Sequence, residues 1–131
     1  MLMNEQRGTN ITARVKLTIH SDERFFGPGI CELLEKIPET GSIQGAAAEM
    51  KMSYTKAWKI INRAEKEMGV SLIVRISGGK NGGSSALTAQ GERAVSVYRE
   101  MERKLAETAS ALLNLNRDTF MPAEPFDDED S

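Results

Sequence analysis

Cysteine and histidine are almost absent from this sequence, which has one residue of each in 131. With no second thiol, Cys31 cannot form a disulfide within the chain, and its apolar surroundings predict a buried structural thiol rather than a reactive one. His20 has no ligand partner at metal-binding spacing, so we expect a surface role for it. Paired carboxylates and nucleophile-base sets are also lacking. We therefore expect no metal site, no cofactor and no catalytic residue, that is, no enzyme.

Long apolar runs are missing as well. No stretch approaches the roughly 18 to 20 apolar residues that cross a bilayer, and the N-terminus lacks the layout of a signal peptide, so we expect a cytoplasmic protein. Hydrophobic residues make up 40% of the chain and charged residues 27%, which favours one globular domain. We place this domain at residues 12–117, between a flexible N-terminus at 1–11 and a disordered acidic tail at 118–131.

The charges are segregated along the chain, although the net charge is only −2. Residues 51–80 contain seven basic and two acidic side chains, whereas residues 118–131 contain six acidic side chains and no basic one. Binding responds to the local field within roughly 8 Å at physiological salt, so a basic centre can function inside an acidic protein.

The first predicted elements are a strand and a helix. Residues 12–20 alternate apolar and polar side chains, the period-two pattern of a half-buried strand. Residues 25–37 have apolar side chains at helical spacing, and Pro28 lies near the start of that pattern. We expect the helix to end before Pro38 and Gly41.

Two further helices follow in close succession. Ser42 is a candidate N-cap for a short helix over residues 42–51, whose small apolar stripe permits close packing. Ser53 is a candidate N-cap for a longer helix over residues 53–68, and Gly69 supplies its C-terminal stop.

A hairpin and a long final helix complete the predicted domain. Residues 71–77 and 85–88 favour strands around a glycine-rich loop at 78–85, and Thr88 is a candidate cap for the last helix. Apolar side chains recur in that helix at spacings of 4 and 3, which is typical of a dimerisation seam. The predicted seam consists of Ala94, Tyr98, Met101, Leu105, Thr108, Leu112 and Leu115. Docking of this helix on its own core is the alternative.

This order of elements predicts a mainly α protein with a small β-hairpin, a winged helix-turn-helix with a long C-terminal dimerisation helix. In such a domain the third helix enters the major groove of DNA. The start and the polar arc of that helix contain Ser53, Tyr54, Thr55, Lys56, Lys59, Asn62, Arg63 and Lys66. Tyr54 and Trp58 are one turn apart, and we favour packing over DNA contact for this pair.

The polar arc has the residue types that bind DNA. Asn62 suits an adenine edge, Arg63 or Lys59 a guanine edge or a phosphate, and Ser53 and Thr55 the DNA backbone. A solvated helix face without function is the alternative for the arc alone.

The loop of the hairpin is the predicted wing. Glycines let its backbone approach a phosphate closely, and Lys80 adds a cation at the tip. These glycines are Gly78, Gly79, Gly82 and Gly83. The loop fails as a phosphate-binding loop of a nucleotide enzyme because Asn81 follows Lys80 and the loop joins two strands. A flexible hairpin without function remains the alternative.

Four short motifs lie between Gly41 and about Tyr98: GSI at the second helix, SYTKAW at the third, GGKNGG at the wing and LTAQG at the long helix. Together they resemble the DNA-binding domain of the ModE family of molybdate-responsive transcription regulators. More distantly, the segment is similar to the LysR-type DNA-binding domain. Carried over onto this sequence, the DNA-facing positions are Ser53, Tyr54, Thr55, Lys56, Lys59, Asn62 and Arg63, with Lys80 on the wing.

The resemblance implies a homodimer that binds palindromic double-stranded DNA and regulates transcription. Family members sense molybdate with a C-terminal domain of another fold. Only about fifteen residues follow the long helix here, so we expect no such domain, and no small-molecule effector is evident. The alternative function is a dimeric protein-interaction adaptor on a winged-helix scaffold. Steep salt dependence of binding would distinguish DNA from a mostly apolar protein partner.

Overall fold

The computed structural model describes residues 10–76 and 83–123. The chain divides into two compact units, one formed by residues 16–101 and the other by residues 1–15 with 102–131. The elements in chain order are β1 (Ile19–His20), β2 (Arg24–Phe26), α1 (Pro28–Thr40), α2 (Ile43–Glu49), α3 (Tyr54–Met68), β3 (Ile73–Ile76), β4 (Ser84–Leu87), α4 (Ala89–Leu115) and α5 (Arg117–Phe120).

The strand predicted at residues 12–20 is mostly wrong. Only Ile19 and His20 are in a strand, and they pair antiparallel with β2 across an irregular register. The alternation reflects packing, because Leu17 and Ile19 lie against the core while Lys16 and His20 are exposed. The pairing partner β2 was missed, since a three-residue strand beside a helix start leaves little period-two pattern to detect.

Helix α1 continues past its predicted end, through Pro38 to Thr40. Proline lacks an N–H, so the carbonyl of Leu34 loses its helical hydrogen bond, but near the end of a helix that loss is tolerated. The helix ends at Gly41, whose φ of 87° is left-handed and whose N–H donates to the Ile37 carbonyl at 2.7 Å.

Helices α1, α2 and α3 bury most of the apolar side chains on one face, and the N-caps of α2 and α3 are as predicted. The Ser42 hydroxyl accepts from the Gly45 N–H at 2.9 Å, and the Ser53 hydroxyl accepts from the Lys56 N–H at 3.0 Å. Gly69 ends α3 with a φ of 72°. The buried helical core comprises Ile30, Cys31, Leu33, Leu34, Ile37, Ile43, Ala46, Ala47, Ala57, Ile61 and Ala64.

Strands β3 and β4 form the predicted antiparallel hairpin, in register from Ile73 opposite Leu87 to Ile76 opposite Ser84. The Thr88 hydroxyl accepts from the Gly91 N–H at 3.0 Å and caps α4, again as predicted. Three helices followed by a hairpin and a long helix make a winged helix-turn-helix fold, which confirms the predicted fold class.

The second unit contains the later part of α4 and the short helix α5. The disordered tail was predicted from residue 118, which is wrong for 118–120 because these residues are in α5. Most of the N-terminus that was predicted to be flexible and most of the tail that was predicted to be disordered, residues 1–9 and 124–131, lie outside the described residues. Within residues 10–76 and 83–123, none of the helices is long and apolar enough to cross a membrane.

Candidate nucleic-acid interface

The polar arc of α3 faces solvent along its whole length. Its buried side is formed by Ala57, Ile61 and Ala64, none of which is accessible. The exposed residues, here called the α3 polar face, are Ser53, Tyr54, Thr55, Lys56, Lys59, Asn62, Arg63 and Lys66. The structure thus brings all of the α3 residues of the predicted site onto one surface, although their DNA contacts remain a prediction.

One edge of this face meets the N-terminal hairpin. The Arg63 guanidinium pairs with the carboxylate of Glu23, which lies between β1 and β2. A cavity beside this pair is lined by Arg24 of β2 together with Lys56 and Lys59. Sequence reasoning missed Arg24, because no local pattern indicates that residue 24 approaches residues 56–63.

The opposite edge of the α3 polar face meets the second hairpin. The Arg75 guanidinium of β3 lies 4.7 Å from the centre of the Trp58 ring and donates to the Tyr54 hydroxyl at 3.4 Å. The Tyr54 and Trp58 rings contact edge to face at 6.4 Å. Trp58 packs against the core as predicted, whereas Tyr54 packs on Trp58 and stays 45% exposed.

The predicted wing is only partly described. Gly83 precedes β4 and lines a polar cavity of about 300 Å³ with Tyr54 and Arg75. Lys80 and the other three wing glycines, Gly78, Gly79 and Gly82, lie outside the described residues. Their assignment to a DNA-contacting loop stays a prediction.

Two residues to which the sequence analysis gave no structural role fix the hairpin against the helices. The Glu65 carboxylate accepts from the backbone N–H groups of Leu72 at 2.8 Å and Ile73 at 3.3 Å. Gly91 lets α4 approach the chain before β3 so closely that a Cβ there would lie 2.3 Å from the Leu72 carbonyl oxygen. The glycine of the LTAQG motif therefore has a packing role.

The predicted dimer seam on α4 is partly internal. Tyr98 is only 1% exposed, its ring contacts Phe26 at 5.3 Å, and its hydroxyl donates to the Leu17 carbonyl at 2.7 Å. Its place in the seam is therefore corrected to the core, since spacings of 3 and 4 are shared by core-facing and partner-facing positions. Ala94 is half-buried, and the exposed positions are Met101, Leu105, Thr108, Leu112 and Leu115.

Within the described residues, no three His, Cys, Asp or Glu side chains come together as a metal site would require. Cys31 is buried, as predicted. His20 is exposed, as predicted, and its Nε2 lies 2.9 Å from the Thr18 hydroxyl.

Comparisons with known proteins point to one type of regulator. Residues 31–92 match the family of bacterial regulatory helix-turn-helix proteins of the lysR family. The molybdenum transport protein ModE of Herbaspirillum seropedicae is 35% identical over 99 residues, 76% of this chain and 35% of that protein. The transcriptional regulator ModE of Haemophilus influenzae is 37% identical over 97 residues, which is 74% of this chain and 37% of that protein.

A third relative is also a ModE protein. The DNA-binding transcriptional dual regulator ModE of Escherichia coli K12 is 34% identical over 87 residues, 66% of this chain and 33% of that protein. The chain thus spans about a third of the length of the ModE relatives that it matches.

The fold, the α3 polar face and the hairpin define a winged helix-turn-helix domain of the type found in bacterial transcription regulators. More particularly, this chain carries a ModE-like helix-turn-helix domain. The resemblance stated from the motifs is confirmed.

Proposed function

We propose that this chain binds double-stranded DNA with sequence preference and regulates transcription, with α3 in the major groove. The observation that carries the proposal is the exposed α3 polar face, flanked on one side by the β3–β4 hairpin. The major groove admits one helix, and each base pair presents its own donor and acceptor pattern there. The names of the Haemophilus influenzae and Escherichia coli relatives support the same function.

Residues on this face have different roles in the proposal. Asn62 hydrogen-bonds an adenine edge, and Lys59 contacts a guanine edge or a phosphate. Ser53, the N-cap of α3, and Thr55, in its first turn, contact the DNA backbone, where the helix N-terminus favours an anion. Lys80 of the wing contacts a phosphate of the same duplex.

The first experiment is fluorescence anisotropy of the purified protein with genomic and random duplexes at two salt concentrations. We expect affinity that falls steeply with salt, because phosphate contacts release counterions, and a preference for some genomic fragments. Failure to bind any duplex at low salt would overturn the proposal and favour the protein-interaction adaptor.

Base recognition has a sharper test in Asn62→Ala. We expect the preference at one operator position to fall by about 1 to 3 kcal/mol, with little change on random duplex, because a base contact carries sequence information and a phosphate contact does not. Asn114→Ala, which alters an exposed residue of α4, is the matched control. Equal losses on all duplexes would remove the base-reading role from Asn62.

We also propose that the protein is a homodimer joined through α4. Three leucines in the later part of this helix, Leu105, Leu112 and Leu115, are 39%, 55% and 81% exposed. Met101 precedes Leu105 by four residues, and the next spacings along the seam are seven and three residues, so the four side chains share one helix face. Exposed apolar side chains on one face favour burial against a partner. A two-fold dimer presents two α3 helices, which suits a palindromic operator.

Leu105→Asp tests the dimer by sedimentation, and we expect a monomer because a carboxylate on the seam must be desolvated. Ser110→Asp is the control, since five residues along α4 places its new charge about 140° away from Leu105. A dimer that persists in Leu105→Asp, as in Ser110→Asp, would exclude this seam as the interface.

We propose that this chain is a regulator without catalytic activity, and that it binds DNA without a cofactor or a small-molecule effector. Relatives are named as transcriptional regulators, which are not enzymes. The adaptor alternative is less favoured, since those names describe regulation of transcription.

A further inference from the structure

A basic cavity lies beside the α3 polar face. It encloses about 210 Å³ between β2, the start of α1 and the outer side of α3, and its basic lining residues are Arg24, Lys56, Lys59 and Arg63. The three α3 residues are spaced 3 and 4 apart, so they share one edge of that helix. Arg24, in β2, lines the same cavity although it lies more than thirty residues earlier in the chain.

Among the residues that the structure describes, the positive charge of this cavity is only partly compensated. Arg24, Lys56 and Lys59 form no ion pair and no side-chain hydrogen bond with any described residue, whereas Arg63 pairs with Glu23. Like charges brought together on a surface repel one another, and a packed fold gains nothing from their convergence. An anion bound among them would remove that repulsion.

The Arg24 side chain also has the chemistry that binds an oxyanion. Its guanidinium lies against the backbone of Gly27, where a Cβ would come 3.5 Å from Nε and 3.6 Å from Cζ. The planar guanidinium matches the geometry of phosphate oxygens, and lysine ammonium groups complete such a site as point charges.

We propose that this cavity receives a backbone phosphate of the DNA, with Arg24 as a phosphate contact supplied by the N-terminal hairpin. The inference rests on the proposed DNA binding and adds a contact on the side of α3 away from the wing. In this arrangement Lys56 and Arg63 contact the DNA backbone. Asn62 lies further around the helix and contacts a base edge.

The test is the salt dependence of DNA binding for Arg24→Gln. Each phosphate contact contributes about 0.9 to the slope of log affinity against log salt, so we expect the slope to fall by about one. The affinity change between 50 and 200 mM salt, both test conditions, should then be about threefold smaller than for wild type. The loss should be similar on preferred and random duplexes.

Two further variants separate charge from structure. Arg24→Lys keeps the cation and should keep the slope near the wild-type value. Arg93→Gln, which alters an exposed arginine on α4 outside the cavity, should leave the slope unchanged. If Arg24→Gln and Arg93→Gln have the same slope while wild type still binds duplex, the phosphate contact is refuted and the proposed function stands. If wild type binds no duplex, the proposed function itself fails.

A second measurement distinguishes DNA phosphate from a free oxyanion. Amide chemical shifts of Gly27 and Gly29, which line the cavity, should respond to duplex DNA at concentrations where inorganic phosphate of equal ionic strength has no effect. Saturation of the same amides by inorganic phosphate alone, with no response to duplex, would assign the cavity to a free anion and overturn the proposal.

Discussion

The two hairpins of the unit formed by residues 16–101 flank opposite edges of the α3 polar face and are held in different ways. The β3–β4 hairpin is fixed mainly through its own backbone groups: Ser85 N–H donates to the Gly41 carbonyl at 2.9 Å, and the N–H groups of Leu72 and Ile73 donate to the Glu65 carboxylate. The β1–β2 hairpin is fixed by side chains, which include the Tyr98 hydroxyl and the Glu23 carboxylate. Backbone contacts withstand most substitutions, so the first hairpin is the more easily altered of the two.

Each hairpin supplies one arginine beside α3, and these two also differ. The Arg75 side chain is oriented by the Trp58 ring and the Tyr54 hydroxyl. The Arg24 side chain has no ion pair or hydrogen bond among the described residues. An oriented cation is suited to one contact position, whereas a free cation mostly adds salt-dependent affinity.

The largest expected effect is a break in the anchor of the second hairpin by Gly91→Ala. The new methyl group would lie 2.3 Å from the Leu72 carbonyl oxygen, so α4 or the chain before β3 must shift. We expect a loss of about 1 to 3 kcal/mol in the free energy of unfolding, measured by urea denaturation. Gly29→Ala is the control, because its methyl group meets nothing within 4 Å. Equal stabilities of the two variants would contradict the close approach.

The first hairpin is tested by Tyr98→Phe. This change keeps the ring against Phe26 and removes the donor to the Leu17 carbonyl, so we expect a loss of about 1 kcal/mol. Hydrogen exchange should accelerate more in β1 and β2 than in β3 and β4. Tyr54→Phe, at an exposed hydroxyl, should change stability by less than about 0.5 kcal/mol. Uniform acceleration in both hairpins would mean that Tyr98 does not anchor the first one specifically.

The same contrast explains what the sequence could predict of the fold. Caps such as Ser42, Ser53 and Thr88 act within a few residues, and apolar stripes repeat within one helix, so local patterns located α1 to α4 and the second hairpin. The first hairpin depends on Tyr98, which is more than seventy residues away in the chain. Pro38 was taken as a helix end, although the left-handed glycine three residues later ends the helix.

The site divides in the same way. The α3 polar face follows from helical periodicity, and its exposure was predictable. Arg24, Arg75 and Glu65 act across elements, so no spacing in the sequence reveals them. Tyr98 was assigned to the dimer seam because the spacing that marks a seam also marks a buried helix face.

A smaller effect is expected where α4 is held to α1, independently of either hairpin. Arg99 donates to both carboxylate oxygens of Glu35, at 2.9 and 2.7 Å, and this hydrogen bonding and charge hold the pKa of Glu35 below its ordinary value. Both side chains are more than a third exposed, so solvent screening limits the pair to about 1 kcal/mol or less.

The pH dependence of this pair has a definite sign. A lowered carboxyl pKa means stability that is present above the unfolded pKa and lost as the pH falls through the folded one. The stability difference between wild type and Glu35→Gln should therefore shrink below about pH 5, measured by thermal unfolding. Arg99→Gln added to Glu35→Gln should cost less than it does in wild type. Strictly additive losses would show that the two side chains do not interact.

The smallest effect is expected from Glu23→Gln. This variant tests whether the ion pair between the first hairpin and Arg63 lowers the affinity for DNA. The Glu23 carboxylate competes with a phosphate for Arg63, and both side chains are more than half exposed. We expect affinity for random duplex to rise by up to about fivefold at low salt and the gain to shrink as salt rises, with stability nearly unchanged. Asp22→Asn removes the same charge one residue away without an ion pair to Arg63. A larger gain in Glu23→Gln would show that release of Arg63 matters, whereas equal gains would reduce the effect to net charge.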